Sequence, residues 1–532
     1  MYSLFHLPKM PTLSHVRFSL FVSFITLYCS SLAIGGSIPD EAKNLLKARD
    51  YTKALSILLN VAKENKNDLE TMNGIGICYL NIHGDKSKAI PYLEKASSLK
   101  KNNWSVLADL AMAYQYGKKY AEAISIYENI EKNGDPKYQG MFLQEIEYCK
   151  RAELAINNPV NVSFTNLGKN INSEYADYFP IVPEYGNLLV FTSRRKGNTG
   201  NITDKDGFFT SDIYLSDFKN GQFSKAKNAG VKTNTPGDEQ VTGCTPDGKT
   251  LMVYIDYGGK NFGDLFFCDN GKNNSTGELK NIGENLNTPF FETAGTLNSD
   301  GTAVYFSSDL PGGYGGRDLY KAIKLPDGNW LEPINLGPVI NTPFNEDFPW
   351  ISDDGMLLTF SSEGHQSIGG FDLFKATWDT LSKTWKEPEN FGYPINTSDD
   401  EFNICLSSNR ETGYMSCWRP DSEGDWDIYK ITFNDLVQPK TTFVYSTIIA
   451  GDSIKPNVSG SCMVTDKING DTLGIYSPKR NGKFLMILPT GLYDVQVSSP
   501  GFEDYKEELY LSDKESYSEK VNKVIRLSKK KK

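Results

Sequence analysis

Between Val160 and Phe433 the chain repeats itself about every 54 residues, and no other feature limits its fold so sharply. Asn-Thr or Asn-Ser pairs begin at Asn172, Asn234, Asn287, Asn341 and Asn396, at spacings of 62, 53, 54 and 55 residues. Five residues after each Asn stands a carboxylate: Asp177, Glu239, Glu292, Glu346 and Glu401. Asp-Gly turns follow at Asp247, Asp300 and Asp354, each leading into an alternating segment such as Ala303–Ser308 or Leu357–Ser362. Every unit then carries an Asp before an apolar-aromatic pair, at Asp212, Asp264, Asp318, Asp372 and Asp427. Alternation and turn signals at this period predict four short strands per unit, the content of one β-propeller blade. Five units predict five blades; six would need a cryptic one. Trp330–Gly337 and Trp385–Gly392 end their units with a Trp-x-x-Pro-x-Asn-apolar-Gly strand, which the last unit lacks. Asn166-Leu167-Gly168 stands ahead of the first unit, so this N-terminal strand is expected to complete the last blade and close the ring.

Over residues 160–435 the pattern resembles the WD40-like (PD40) repeats of the bacterial TolB-type family.

Residues 37–159 follow a different rule. Asp50–Leu55, Asp85–Ile90 and Lys119–Ile124 echo one another, and the alanines Ala54, Ala89 and Ala123 step by 35 and 34 residues. Gly76, Ala89, Ala111 and Ala123 are small where two helices would cross closely, with Tyr79, Leu93, Tyr114 and Tyr127 beside them. This alternation closely resembles the tetratricopeptide repeat, which implies three helical hairpins and a capping helix near 140–155. A peptide-binding groove and a plain spacer are both open for it.

Residues 441–527 read as alternating strands, with Asn481-Gly482 and Pro489-Thr490-Gly491 as hairpin turns after a linker near 436–442. The run is similar to the carboxypeptidase-regulatory-like domain, which implies a small non-catalytic β-sandwich. A basic tail, 528–532, follows. The fold class expected is therefore multidomain: a tetratricopeptide array, then a five-bladed propeller (alternatively six-bladed), then a small β-sandwich.

At the other end, Phe18–Leu32 is the one long apolar run, preceded by His15 and Arg17 and ending in the small-x-small pattern Ser31-Leu32-Ala33. Residues 1–33 thus read as an export signal, with a membrane anchor as the alternative and Met1 or Met10 as the start. Cys29 is the residue a lipid would attach to, although Tyr28 stands where lipidation signals want a small residue. The seven later cysteines have no CxxC spacing, so metal fingers are not expected.

A net charge of −10 argues against nucleic-acid binding, and a mean hydropathy of −0.43 against a multi-pass membrane protein. No Walker loop, HExxH or G-x-S-x-G is present, and no cofactor or metal is expected. The five repeated carboxylates would form a ring able to hold a cation or basic peptide if they face the axis. Otherwise they accept backbone N–H bonds between neighbouring blades. The combination of modules resembles Bacteroidetes-type envelope proteins that continue into an OmpA-like domain, some of them components of type IX secretion or gliding machinery. Only five residues follow Leu527, so direct peptidoglycan binding by that domain is not carried over. The resemblance implies a non-enzymatic periplasmic scaffold docking other envelope or outer-membrane proteins. A glycan-binding or glycan-hydrolysing propeller is the competing reading.

Overall fold

The computed structural model describes residues 38–530 except 184–186, 205, 246–247, 257–262, 272–275, 408–409, 435–440, 451–459, 468–469, 480, 512–517 and 519. The export signal with Cys29, the linker 436–440, Asp247 of one Asp-Gly turn and the last two lysines lie outside them. Residues up to Phe433, apart from 380–382 and 409–411, form one compact unit. Residues 434–532 with those two short segments form a second. No helix among the described residues is long and apolar enough to cross a membrane.

The expected fold class is corrected at its start. The protein is mostly β, the described residues hold only seven α-helices, and no tetratricopeptide array is shown. The helices are α1 Asp40–Ala48, α2 Tyr51–Glu64, α3 Leu69–Asn81, α4 Ile90–Leu99, α5 Trp104–Tyr116, α6 Tyr120–Asn133 and α7 Leu143–Asn157. Asp50 and Asp68 cap α2 and α3 by accepting from the Lys53 and Thr71 amides. Successive helices cross closely: a Cβ added to Gly76 in α3 would lie 2.4 Å from Leu93 Cγ in α4. That closeness accounts for the small residue at this position. The reason it does not make an independent array is what the helices pack on. A solenoid buries each hairpin only against the next, whereas Ile368 of the sheet region is buried in one cluster with Ala111, Tyr127, Phe142 and Cys149. The helices are one flank of the sheet assembly.

Five sheets fill residues 162–433. The first orders Asp177–Ile181, Leu188–Ser193, Asp212–Lys219 and Gln222–Phe223, with Lys227–Asn228 also on the third strand. The second to fourth repeat this from Asp238–Cys244, Glu292–Leu297 and Glu346–Ile351. The fifth has Ile404–Leu406, Thr412–Cys417, Asp427–Phe433 and, outermost, Val162–Asn166. The innermost strands of the first four sheets pack in order, the first also packs on the fifth, and the fourth sheet meets the fifth through Leu357–Ser362. This is a β-propeller, and among the described residues no sixth sheet interrupts it. The outermost strand of the last sheet comes from before the first, with Val162 opposite Phe433 and Asn166 opposite Tyr429.

Aromatic rings occupy the middle of the ring. Phe179 and Phe348 belong to the first and fourth sheets, which are not neighbours, yet their ring centroids are 4.7 Å apart. Phe371, Phe402 and Trp426 join them. Phe179 and Phe348 have φ of 51° and 50°, at the bulges where the innermost strands shift register against the next strand. A bulky residue avoids this left-handed region unless its surroundings hold it there. Here the bulge re-aims each ring toward the axis. About 10 Å³ of free space remains beside them, room for roughly one water.

The second unit pairs a three-stranded sheet (Thr441–Ala450 between Lys483–Pro489 and Lys520–Leu527) with a four-stranded one. The latter orders Thr472–Tyr476, Ser461–Asp466, Gly491–Ser498 and Tyr505–Leu511. Alternate residues of both sheets, among them Val444, Ile448, Met486, Leu488, Val464, Val495 and Ile525, share one buried core. The seven described cysteines are free thiols.

Candidate functional site

The repeated carboxylates begin the innermost strands, or, for Glu401, stand just before one, and all five are buried. Each reaches back four residues to the Thr or Ser of its own Asn-Thr or Asn-Ser pair. The Thr342 amide and hydroxyl donate to Glu346 at 2.8 and 2.6 Å, and Ser362 Oγ donates at 2.7 Å. Glu292 receives the same three bonds from Thr288 and Ser308. Glu239 and Glu401 accept from Thr235 and Thr397. Asp177 accepts from the Ser173 amide and hydroxyl and from the guanidinium of Arg195. The Thr and Ser donors of the pairs lie in the loop leading into the same strand, so the five groups close five loops, while Ser308, Ser362 and Arg195 donate from the end of the next strand or just beyond it. Burial pushes Glu239 up to about 8 and Glu292 and Glu346 up to about 7, against the lowering pull of those hydrogen bonds. Glu401 is driven well above the usual range by burial and then by Asp372.

The asparagines join consecutive sheets. Asn341 Oδ1 accepts from the Leu319 amide at 2.8 Å, while its Nδ2 donates to the Leu319 carbonyl and to Asn335 Oδ1. Asn234, Asn287 and Asn396 repeat the backbone pair on Ile213, Leu265 and Leu373. Asn172 makes it with Ile428 across the ring's closing joint. The aspartates of the Asp-apolar-aromatic boxes accept loop amides: Tyr314 and Gly315 donate to Asp318, Ile368 to Asp372 and Glu423 to Asp427. His365 is half-buried, with Nε2 2.9 Å from the Ile340 carbonyl, and burial lowers its pKa.

A second constellation lies where the helices meet the fourth and fifth sheets. Lys86 Nζ donates to Asp399 Oδ1 at 2.6 Å and lies 4.4 Å from the Tyr116 ring centroid. His83 stacks on Trp426 at 4.4 Å and places Nδ1 2.5 Å from Asp425 Oδ1. Arg151 Nε donates to the Ser367 carbonyl, and Gln144 Nε2 and the Tyr148 hydroxyl to the Glu363 carbonyl. A cleft of about 380 Å³ opens beside this seam, lined by Tyr116, Tyr393, Asp399, Asp400, Trp418 and Arg419 among others. Its acids are unequal. Burial would raise Asp399, but the Lys86 ammonium overrides it and holds the group below the usual carboxylate range. Asp400 has burial and the adjacent Asp399 against it and rises to about 7. Glu145 in α7, taking one hydrogen bond from Gln115 at 3.0 Å, is also pushed by burial to about 7. Sequence reasoning missed this seam. One signal was available: Asp399 and Asp400 stand in a segment that reads Thr-Pro in the second, third and fourth units but Thr397-Ser398-Asp399-Asp400 in the fifth.

No family model and no curated protein matches the chain. Solved structures do. An endo-arabinase from Bacteroides thetaiotaomicron is 13% identical over 51% of this chain and 97% of its own, at a TM-score of 0.31. An α-L-arabinofuranosidase from Lactobacillus brevis is 13% identical over 48% and 90%, at 0.29. The tricorn protease is 13% identical over 66% and 37%, at 0.29. At such scores the likeness carries no argument about activity.

Proposed function

We propose that the chain is a non-enzymatic scaffold of the cell envelope, exported by its N-terminal signal and built to hold other envelope proteins. What supports this reading is the use to which the propeller puts its acids. The five repeated carboxylates bond their own loops, and aromatic rings fill the axis on which a symmetric site would be centred. An oxocarbenium-type hydrolysis needs a pair of carboxyls facing one substrate pocket, and these five do not converge on one. Rigid, broad sheet surfaces suit multivalent docking, where two weak contacts on one frame raise the effective concentration of each. Membership of the PD40-type propellers and of a type IX secretion or gliding assembly is the narrower form of the proposal, resting on the likeness of the propeller repeats alone.

The competing reading, glycan recognition or hydrolysis, has one observation in its favour: the cleft beside Asp399, Asp400 and Trp418 brings unequal acids and an aromatic together. Two measurements separate the readings. Crosslinking in the native cell followed by mass spectrometry should return a fixed set of envelope proteins. Incubation with arabinan, pectin and peptidoglycan fragments should release no sugar. Release that is lost in Asp400→Asn would refute the scaffold reading.

A further inference from the structure

The two faces of the C-terminal unit differ in a way that its core does not require. On the four-stranded sheet the apolar Leu473, Ile475 and Tyr510 are exposed beside charges of both signs, and Lys467, just past one of its strands, pairs with Glu508 and stands 4.0 Å from Asp494. The three-stranded sheet differs in its charges. Strand alternation puts Val444, Ile448, Met486, Leu488, Ile525 and Leu527 in the core and leaves Phe443, Tyr445, Ile449, Leu485, Ile487 and Val524 facing out. Tyr445, Leu485 and Val524 are 44%, 39% and 56% exposed. The remaining described outward positions are Lys483, Lys520 and Arg526 with Thr447, Asn522 and Pro489. None of the described outward positions of this face is acidic.

The arrangement is ordered as well as biased. Phe443 lies opposite Ile487 and Tyr445 opposite Leu485, an apolar cluster over the central strand and one edge, and Thr447 lies between Lys483 and Val524. The cations sit around them: Lys520 beside Phe443 at one end, Lys483 on one edge strand and Arg526 beside Ile449 at the other end. The exposed Lys529 and Lys530 follow that end. None of the side chains of Lys483, Lys520 and Arg526 has an ion-pair partner among the described residues, unlike Lys523, which is paired with Glu507.

We infer that this face docks onto an anionic lipid surface. Size decides between a bilayer and an acidic protein. Three strands about 4.8 Å apart and about seven residues long at about 3.3 Å each cover on the order of 330 Å². A stable protein interface takes about 800 Å² from each partner. A bilayer asks for less: a few apolar side chains at the headgroup boundary, with long cationic ones reaching up to the phosphates around them. Tyr445, an aromatic with a polar tip, suits that depth. The apolar cluster and the cations around it match this geometry.

The test uses the full chain and sedimentation with vesicles of phosphatidylethanolamine and phosphatidylglycerol, against phosphatidylcholine alone. Binding should be confined to the anionic vesicles and weaken as salt rises. Each neutralised cation should cost about fivefold in partition, so Lys483→Gln with Lys520→Gln and Arg526→Gln should lose about a hundredfold. Leu485→Ser with Val524→Ser, both on the exposed face, should lose about tenfold or more through apolar burial alone, with the far-ultraviolet circular dichroism unchanged. Equal binding to both vesicle types, or none, would overturn the inference. So would anionic binding that the apolar pair leaves intact, since the basic tail would then suffice. Self-association that Leu485→Ser abolishes, in the absence of vesicle binding, would assign the face to protein and overturn it equally.

Discussion

Replacing Lys86 with Met removes the cation that links the turn before α4 to the fifth sheet. Lys86 Nζ lies 2.6 Å from Asp399 Oδ1, and the two side chains are 10% and 29% exposed. Removing one partner of a fully buried pair costs about 3–5 kcal/mol, because the other charge is left unsolvated. Asp399 keeps some water, so the expected cost falls to about 2–3 kcal/mol after screening. The neighbouring Asp400 holds it at the upper end of that range, since two adjacent carboxylates would then face each other without a cation. Lys86→Met with Asp399→Asn should cost less than the sum of the single changes, by about 1.5 kcal/mol or more. A chain with two compact units does not unfold in one step, so hydrogen exchange of the α3–α5 amides is the appropriate assay. Both single variants should lose protection there, while the C-terminal sandwich keeps its own. A coupling below about 0.5 kcal/mol would mean that the pair behaves as a surface contact and would refute the view that it pins the helices to the propeller.

Three further outcomes are expected. Glu145 and Asp400 have folded pKa values raised to about 7, so the folded seam binds more protons than the unfolded chain between about pH 4 and 7, and its stability falls as pH rises through that window. Exchange protection of α5 and α7, compared at pH 5.5 and 8, should be greater at 5.5, and Glu145→Gln should flatten the difference. Glu346→Ala leaves the Thr342 amide and hydroxyl and Ser362 Oγ without their acceptor and should cost about 2–4 kcal/mol, whereas Glu346→Gln keeps an acceptor and should cost about 1 kcal/mol; thermal melts of the two variants, one far below the other, check this. Phe348→Ala should open a void on the propeller axis and cost about 3–5 kcal/mol, read as an early loss of near-ultraviolet circular dichroism.

The propeller is legible because its repeats are chemical as well as spatial. Each Asn needs both its oxygen and its amide to join one sheet to the next, and each carboxylate needs a Thr or Ser four residues earlier. Whether the acids face the axis or their own loops was not legible, since that depends on the partners the fold supplies. The helices show the opposite failure. Gly76 marks a close crossing, but nothing local says that Tyr148 and Arg151 will bond to the backbone of Glu363 and Ser367, more than two hundred residues away. Lys86 and Asp399 are 313 residues apart and each reads as an ordinary surface charge. The left-handed backbone of Phe179 and Phe348 is equally hidden, because it runs against the preference of the residue type and is imposed by the closed ring.

The strand that completes the last sheet is made long before its neighbour. Val162–Asn166 waits for Asp427–Phe433, and Asn166 meets the side chain of Asp427 across 261 residues. Until then both of its hydrogen-bonding edges are bare, in a chain emerging N-terminus first. Such edges recruit whatever strand they meet, and long-range pairings of this kind form slowly. A chain folding before residues 427–433 are free to pair therefore holds an open wheel, with 162–166 as its unmatched strand.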